Sequence, residues 1–140
     1  MTQLSLVKTS QFKMRPDSEN ECWLVLDLES DGLYDSVTVI HCIVIHDIYA
    51  NQTYKYGPTD ITAALEHLAN ADVLIGQNIL FYDIPVLQKL FPDTVKFRGR
   101  IIDTLICTQL IWPKEVLYDL DTEQYPEVPK NLKGRAGLKA

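Results

Sequence analysis

The sequence is poor in cysteine and lacks any long apolar run. Its three cysteines, Cys22, Cys42 and Cys107, lie far apart and form no Cys-x-x-Cys pair. This spacing argues against a disulfide framework and a zinc site, and the odd count favours reduced thiols. No apolar run approaches eighteen residues, and the first twenty residues contain no charged-then-apolar leader. We therefore expect a cytoplasmic chain that is neither secreted nor inserted in a membrane.

Positive charge is also scarce. There are 13 lysine and arginine residues against 19 aspartate and glutamate residues, a formal net charge of -6. This balance argues against a general affinity for nucleic acid based on bulk electrostatics. A length of 140 residues with 46% hydrophobic residues suits one domain with a single core. We expect a poorly structured arm over residues 1–21, one domain over residues 22–140, and no internal repeat.

The most informative segment is an apolar strand that ends in two acids. Asp27 and Glu29 flank Leu28, and side chains alternate along a strand, so the two carboxylates share one face. Two like charges this close repel each other, and a divalent cation between them would remove that repulsion. The alternative is a solvated acidic turn, because Ser30-Asp31-Gly32 is good turn sequence.

A second segment adds a third carboxylate. The apolar strand at Val73–Ile75 leads through Gly76-Gln77-Asn78 into a helix that carries Asp83. Carboxylates from two strand ends form an oxygen-rich site of the kind that Mg²⁺ or Mn²⁺ prefers. The two segments together favour a metal site over a solvated turn.

These two segments also carry a family resemblance. Asp27-x-Glu29 with Leu33 four residues on, then Gly-Gln-Asn leading to Phe-Tyr-Asp83, resembles the first two motifs of the 3′→5′ exonucleases with four acidic metal ligands. The spacing from Asn78 to Asp83 is similar to that in the proofreading domain of phage family A DNA polymerases. The stretches 36–42 and 102–105 resemble the same group, and the resemblance runs from about Trp23 to Ala140.

The resemblance implies a ribonuclease H-like α/β fold, a mixed sheet flanked by helices. It implies hydrolysis of the 3′-terminal nucleotide of single-stranded or frayed DNA with two Mg²⁺ or Mn²⁺ ions held by Asp27, Glu29 and Asp83. Ser30, Leu33 and Asn78 would contact the substrate, with Leu33 wedged against the terminal base. Asn78 could equally serve only the backbone of its own turn. Acidity does not exclude such an activity, because bound cations offset the acids.

The resemblance also predicts a third motif, Tyr-x-x-x-Asp or His-x-x-x-x-Asp, on a late helix. Two strings match, at residues 56–60 and 67–72, but both precede the second motif. We therefore expect a C-terminally incomplete exonuclease domain, a fragment or split subunit of a phage polymerase in the host cytoplasm. Two alternatives stay open: an inactive module that binds DNA or a protein, and an unrelated metal-dependent nucleotide hydrolase.

The pattern of apolar residues predicts strands and helices in the order of a ribonuclease H-like sheet. Asp103 is interpreted as a helix N-cap rather than a metal ligand. We expect an irregular loop over residues 114–134. The predicted strands are 23–28, 37–45, 52–56, 73–75 and 100–102, and the predicted helices are 58–69, 84–91 and 103–111.

The C-terminal residues form a basic tail. An incomplete domain should leave apolar surface uncovered, and such surface usually marks an interface. We expect self-association or docking of a polymerase or complementing chain there, with a solvated tail on a monomer as the alternative. The basic side chains that could contact nucleic acid or an acidic partner are Lys130, Lys133, Arg135 and Lys139.

Overall fold

The structure, a computed structural model, describes residues 21–95, 97–127, 129, 130, 133 and 134, with the Leu120 side chain excepted, and it is an α/β fold. Residues 1–20 of the predicted arm lie outside the described residues. The elements in chain order are β1 Trp23–Ser30, β2 Ile40–Asp47, β3 Gln52–Tyr56, α1 Ile61–Leu68, β4 Val73–Gly76, α2 Asp83–Leu90, β5 Arg100–Asp103, α3 Thr104–Ile111 and α4 Lys114–Gln124.

The five strands form one mixed sheet in the order β3-β2-β1-β4-β5. β2 runs antiparallel to both its neighbours, whereas β1, β4 and β5 are parallel to one another. The predicted α/β fold is confirmed, with β1 at the centre, and the arrangement is consistent with a ribonuclease H-like sheet. That the domain is incomplete stays a prediction.

The core lies on one face of this sheet. Leu24, Leu26 and Leu28 alternate along β1 and are at most 6% exposed. They share one apolar cluster with the buried residues of α1 and α2, so both helices cover this face. Burial of each such side chain contributes about 1.5–3 kcal/mol, and this burial anchors β1 in the core.

The opposite face is less covered. Val25, Val44 and Ile75 point to it and are half-buried. α3 has no buried residue, and at its end Leu110 is 79% exposed and Ile111 59% exposed. Exposed apolar side chains are therefore present on α3, whereas apolar surface left uncovered by an incomplete domain stays a prediction. In the part of the chain that is described, no helix has the length and apolar character needed to cross a membrane.

Two predicted boundaries were wrong. The loop predicted over residues 114–134 contains helix α4, because Pro113 both ends α3 and starts a segment with no further proline or glycine before residue 125. β2 starts at Ile40 rather than Val37, since the carboxylate of Asp31 bonds the backbone amides of Thr38 and Val39. Those two amides are consequently not part of a strand ladder.

Candidate functional site

The two acids of the first motif stand at the end of the central strand. Asp27 and Glu29 are exposed, whereas Leu28 between them is buried. β2 continues beside them, but the pairing of β1 with β4 covers only Trp23 to Val25. The sheet therefore opens between β1 and β4 just before the acidic pair, as expected where two strands diverge.

The turn after β4 lies tightly against β1. A side chain at Gly76 would place its Cβ 2.9 Å from Ile79 and 3.0 Å from the carbonyl oxygen of Leu26. Asn78 then adopts a left-handed backbone with φ 58°, which asparagine tolerates better than most residues. Its carbonyl accepts hydrogen bonds from the amides of Phe81 and Tyr82. This turn directs the chain back towards β1.

Asp83 occupies the opening between the strands. It is the first residue of α2 and is 5% exposed. Burial, together with the charges of Asp27 and Asp103, raises the pKa of its carboxyl to about 6, although the backbone amides of Asp83 itself and of Leu28 act to lower it. The charge of Asp27 thus acts on Asp83, and that the two carboxylates share a cation stays a prediction.

This pair fits a divalent cation chemically. A buried carboxylate beside a second carboxylate is an arrangement that a hard cation would neutralise. Glu29 lies two residues beyond Asp27 on the same face of β1. Among the described residues, however, no group of three or more His, Cys, Asp or Glu side chains is arranged to hold a metal ion. The three-ligand set of Asp27, Glu29 and Asp83 therefore stays a prediction.

The loop after β1 is tied to α2 by Tyr82. The Tyr82 hydroxyl donates to the carbonyl of Gly32 and lies 2.5 Å from the hydroxyl of Ser30. Ser30 also donates to the Gly32 carbonyl at 3.1 Å. These bonds occupy the Ser30 side chain within the loop, and its predicted contact with substrate stays a prediction.

The same loop presents Leu33 to solvent. Leu33 is 78% exposed, and the ring of its neighbour Tyr34 lies beneath the Lys89 ammonium at 5.2 Å. Lys89 also donates to the Tyr34 carbonyl at 2.6 Å. The leucine therefore projects from a loop that is held at several points. Exposure is compatible with the predicted wedge.

The basic tail is only partly described. Lys130 is exposed, but Lys133 is buried at 8% exposure, beside Gly134, whose amide donates to Asp121 at 2.9 Å. Arg135 and Lys139 lie outside the described residues. Lys133 is thus buried, whereas a residue that contacts nucleic acid would be exposed. The nucleic-acid role of the tail stays a prediction.

The sequence did not predict that Tyr82 and Asp103 make hydrogen bonds to other segments of this site. The N-cap prediction for Asp103 is confirmed, since it accepts from the amides of Leu105 and Ile106. It also accepts from Asn78 and Leu80, which lie in the second motif. The parallel pairing of β4 with β5 explains these bonds, because it sets Gly76 opposite Asp103.

Comparison with known proteins gives one kind of relative. Over 98 residues the chain is 37% identical to the DNA-directed DNA polymerase of Escherichia phage T7 and, equally, to that of Enterobacteria phage T3. The match covers 63% of this chain and 14% of each polymerase, so the chain spans a small part of the length of these relatives. No family model matches the chain. The comparisons support a relationship to a segment of phage DNA polymerases.

Proposed function

We propose that this chain carries the first two motifs of a proofreading-type 3′→5′ exonuclease site, as a segment of a phage DNA polymerase. The observation that supports this most is the buried carboxylate of Asp83 in the opening between β1 and β4, beside Asp27. The similarity to phage DNA polymerases supports DNA as the substrate class and the host cytoplasm as the location.

Each residue has a proposed task. Asp27, Glu29 and Asp83 hold divalent cations, and the bound cations supply an activated water and charge stabilisation at the leaving oxygen. Leu33, being exposed at the tip of a fixed loop, packs against the terminal base of a single-stranded or frayed 3′ end. Asn78, half-buried at the start of the second motif, contacts the substrate backbone in this proposal.

The 140-residue chain alone should be a weak nuclease. Its sequence has no Tyr-x-x-x-Asp or His-x-x-x-x-Asp string after Asp83. A chain that supplies such a motif should raise the activity. Self-association, or docking of that chain at apolar surface next to the basic tail, stays a prediction that light scattering at micromolar concentration would test.

The test combines metal binding and cleavage. Calorimetric titration with Mn²⁺ should give a weak site in the wild type that Asp27→Asn removes. Asp47→Asn is the matched control, because Asp47 pairs with Leu24 at the other end of β1 and its carboxylate accepts a hydrogen bond from the turn amide of Ala50. Identical isotherms for the wild type and Asp27→Asn would contradict the site.

Cleavage is followed on a 5′-labelled single-stranded oligonucleotide with Mg²⁺, Mn²⁺ or a chelator. Slow, metal-dependent loss of 3′-terminal nucleotides that Asp27→Asn abolishes is the expected result. Cleavage of free nucleotides in place of DNA would instead favour a nucleotide hydrolase. Binding of DNA with no cleavage under any metal would favour an inactive module.

A further inference from the structure

Asp103 makes more hydrogen bonds than a helix cap requires. One oxygen, Oδ1, accepts from the amides of Leu105 at 2.9 Å and Ile106 at 3.4 Å, which cap α3. The same oxygen accepts from the amide of Asn78 at 3.1 Å, and Oδ2 accepts from the amide of Leu80 at 3.1 Å. Half of the amides bound by this carboxylate therefore belong to the turn between β4 and α2.

The bonded turn is the one that carries the second motif. Asn78 has φ 58°, a conformation that costs free energy for a residue other than glycine and persists only where neighbours hold it. Asp103 is 4% exposed and bonds both sides of Ile79, which is fully buried. Such a buried carboxylate is strongly stabilised only while its amide donors stay in place.

A second side chain reinforces the same junction. The hydroxyl of Thr104, next in the chain, lies 2.5 Å from the Gln77 side-chain oxygen and 3.3 Å from the Gly76 carbonyl. The start of α3 thus contacts the turn at consecutive residues. Three residues after Leu80 the chain reaches Asp83, whose place against β1 depends on where this turn directs it.

We propose that Asp103 is a positioning residue of the candidate site, which fixes the Asn78 turn and through it the carboxylate of Asp83. The fixing of the turn stands on the contacts alone, whereas the effect on a metal site rests on the proposed function. Asp103 itself is not proposed to touch metal or substrate, because its two oxygens are engaged by backbone amides.

Two substitutions separate the capping of α3 from the bonds of Asp103 to the amides of Asn78 and Leu80, which we call the clamp. Asparagine and serine cap helices about as well as aspartate. Asp103→Asn, however, turns an amide group towards the Leu80 N–H, and Asp103→Ser is too short to reach it. Amide hydrogen exchange should therefore accelerate at least about tenfold at Leu80 in both variants, while Leu105 and Ile106 keep their protection. Unchanged exchange at Asn78 and Leu80 would overturn the clamp.

The wild type provides a measurement that needs no variant. The amides of Asn78 and Leu80 should exchange as slowly as those in β4, although both residues lie in a turn. Exchange at the rate of open loops would contradict the proposal even if neither substituted chain folded. Asp47→Asn is the control, because it removes a carboxylate that bonds a turn amide at the far end of the sheet.

The consequence for the site is measured with Mn²⁺ alone. Loss of a residue that orients metal ligands weakens metal binding roughly 10- to 100-fold, and this is expected for Asp103→Ser. Asp103→Glu keeps the negative charge. If this variant binds Mn²⁺ as tightly as the wild type although its Leu80 amide exchanges rapidly, the weaker binding of Asp103→Ser is an effect of charge. That result would overturn the link between the Asn78 turn and Asp83. If the wild type binds no Mn²⁺, the proposed function fails, whereas the exchange data still decide the clamp.

Discussion

The carboxylate of Asp83, the first residue of α2, faces the backbone amide of Leu28 in the central strand, and this amide acts to lower the Asp83 pKa. β4 pairs with β1 only as far as Val25, so the Leu28 amide lies beyond the end of the parallel ladder. This approach brings the two acidic motifs together. Burial of the charged group beside the core nevertheless raises the Asp83 pKa.

The first prediction concerns stability against pH. An aspartate in an unfolded chain loses its proton near pH 4, whereas Asp83 in the folded chain keeps it until about pH 6. Between these values the folded state binds more protons, so the Asp83 contribution to stability falls as pH rises from about 4 to 6. The loss amounts to at most about 3 kcal/mol, from two pH units at 1.36 kcal/mol each.

Asp83→Asn removes this dependence. Urea unfolding at several pH values between 4 and 7 should show the variant gaining stability relative to the wild type as pH rises, with a plateau above about pH 6. Asp31→Asn supplies the opposite sign below about pH 4, because hydrogen bonds from Thr38 and Val39 hold the pKa of Asp31 well below its usual range. The stabilising effect of Asp31 is lost as the pH falls from about 4 towards this lowered pKa. Parallel curves for wild type and Asp83→Asn would refute the first prediction.

The second prediction concerns the pH dependence of Mn²⁺ binding. A proton on Asp83 competes with a cation, so binding should require the ionised carboxylate. With a pKa of about 6, that form rises about tenfold from pH 5 to pH 7. Calorimetric titrations should therefore show about tenfold tighter Mn²⁺ binding at pH 7. Equal affinity at both pH values would exclude Asp83 as a ligand.

Local sequence patterns were sufficient to predict the strands and helices that have a clear apolar periodicity or a clear capping residue. The alternation of Leu24, Leu26 and Leu28 predicted the central strand, and Asp103 marked the start of α3. The start of β2 was missed because the amides of Thr38 and Val39 bond a side chain seven or eight residues away. Branched apolar residues in that stretch indicate a strand whether or not the ladder includes them.

The sequence suggested which acids form the candidate site, but not the contacts around them. Strand ends alone suggested that Asp27 and Asp83 lie together, and the charge of Asp27 raises the Asp83 pKa. The bonds from Asp103 to Asn78 and from Tyr82 to Gly32 join residues 25 and 50 positions apart. Such contacts depend on the order of strands in the sheet, which no local pattern contains. α4 was missed because Pro113 was interpreted only as the end of α3.

The third prediction tests the support by Tyr82. Tyr82→Phe keeps the ring and removes the hydroxyl that bonds Gly32 and Ser30. The free energy of unfolding should fall by about 0.5–1.5 kcal/mol, measured by urea titration. Tyr49→Phe, at a side chain that is 53% exposed, should stay within about 0.5 kcal/mol of the wild type. A loss in the Tyr49 variant as large as in the Tyr82 variant would remove the assigned role.

The last prediction separates function from stability at Leu33. Its side chain is 78% exposed, so Leu33→Ala should change the free energy of unfolding by no more than about 0.5 kcal/mol. If Leu33 packs against a terminal base, the same variant should bind a single-stranded oligonucleotide several-fold more weakly, because the truncation removes apolar surface buried against the base, at about 25 cal/mol per Å². Leu110→Ala is the matched control, since Leu110 is 79% exposed but lies on α3. Fluorescence anisotropy with a labelled oligonucleotide, in Ca²⁺ to suppress cleavage, compares the three proteins. Equal weakening by both substitutions would show that general apolar surface, and not a wedge at the end of β1, binds the DNA.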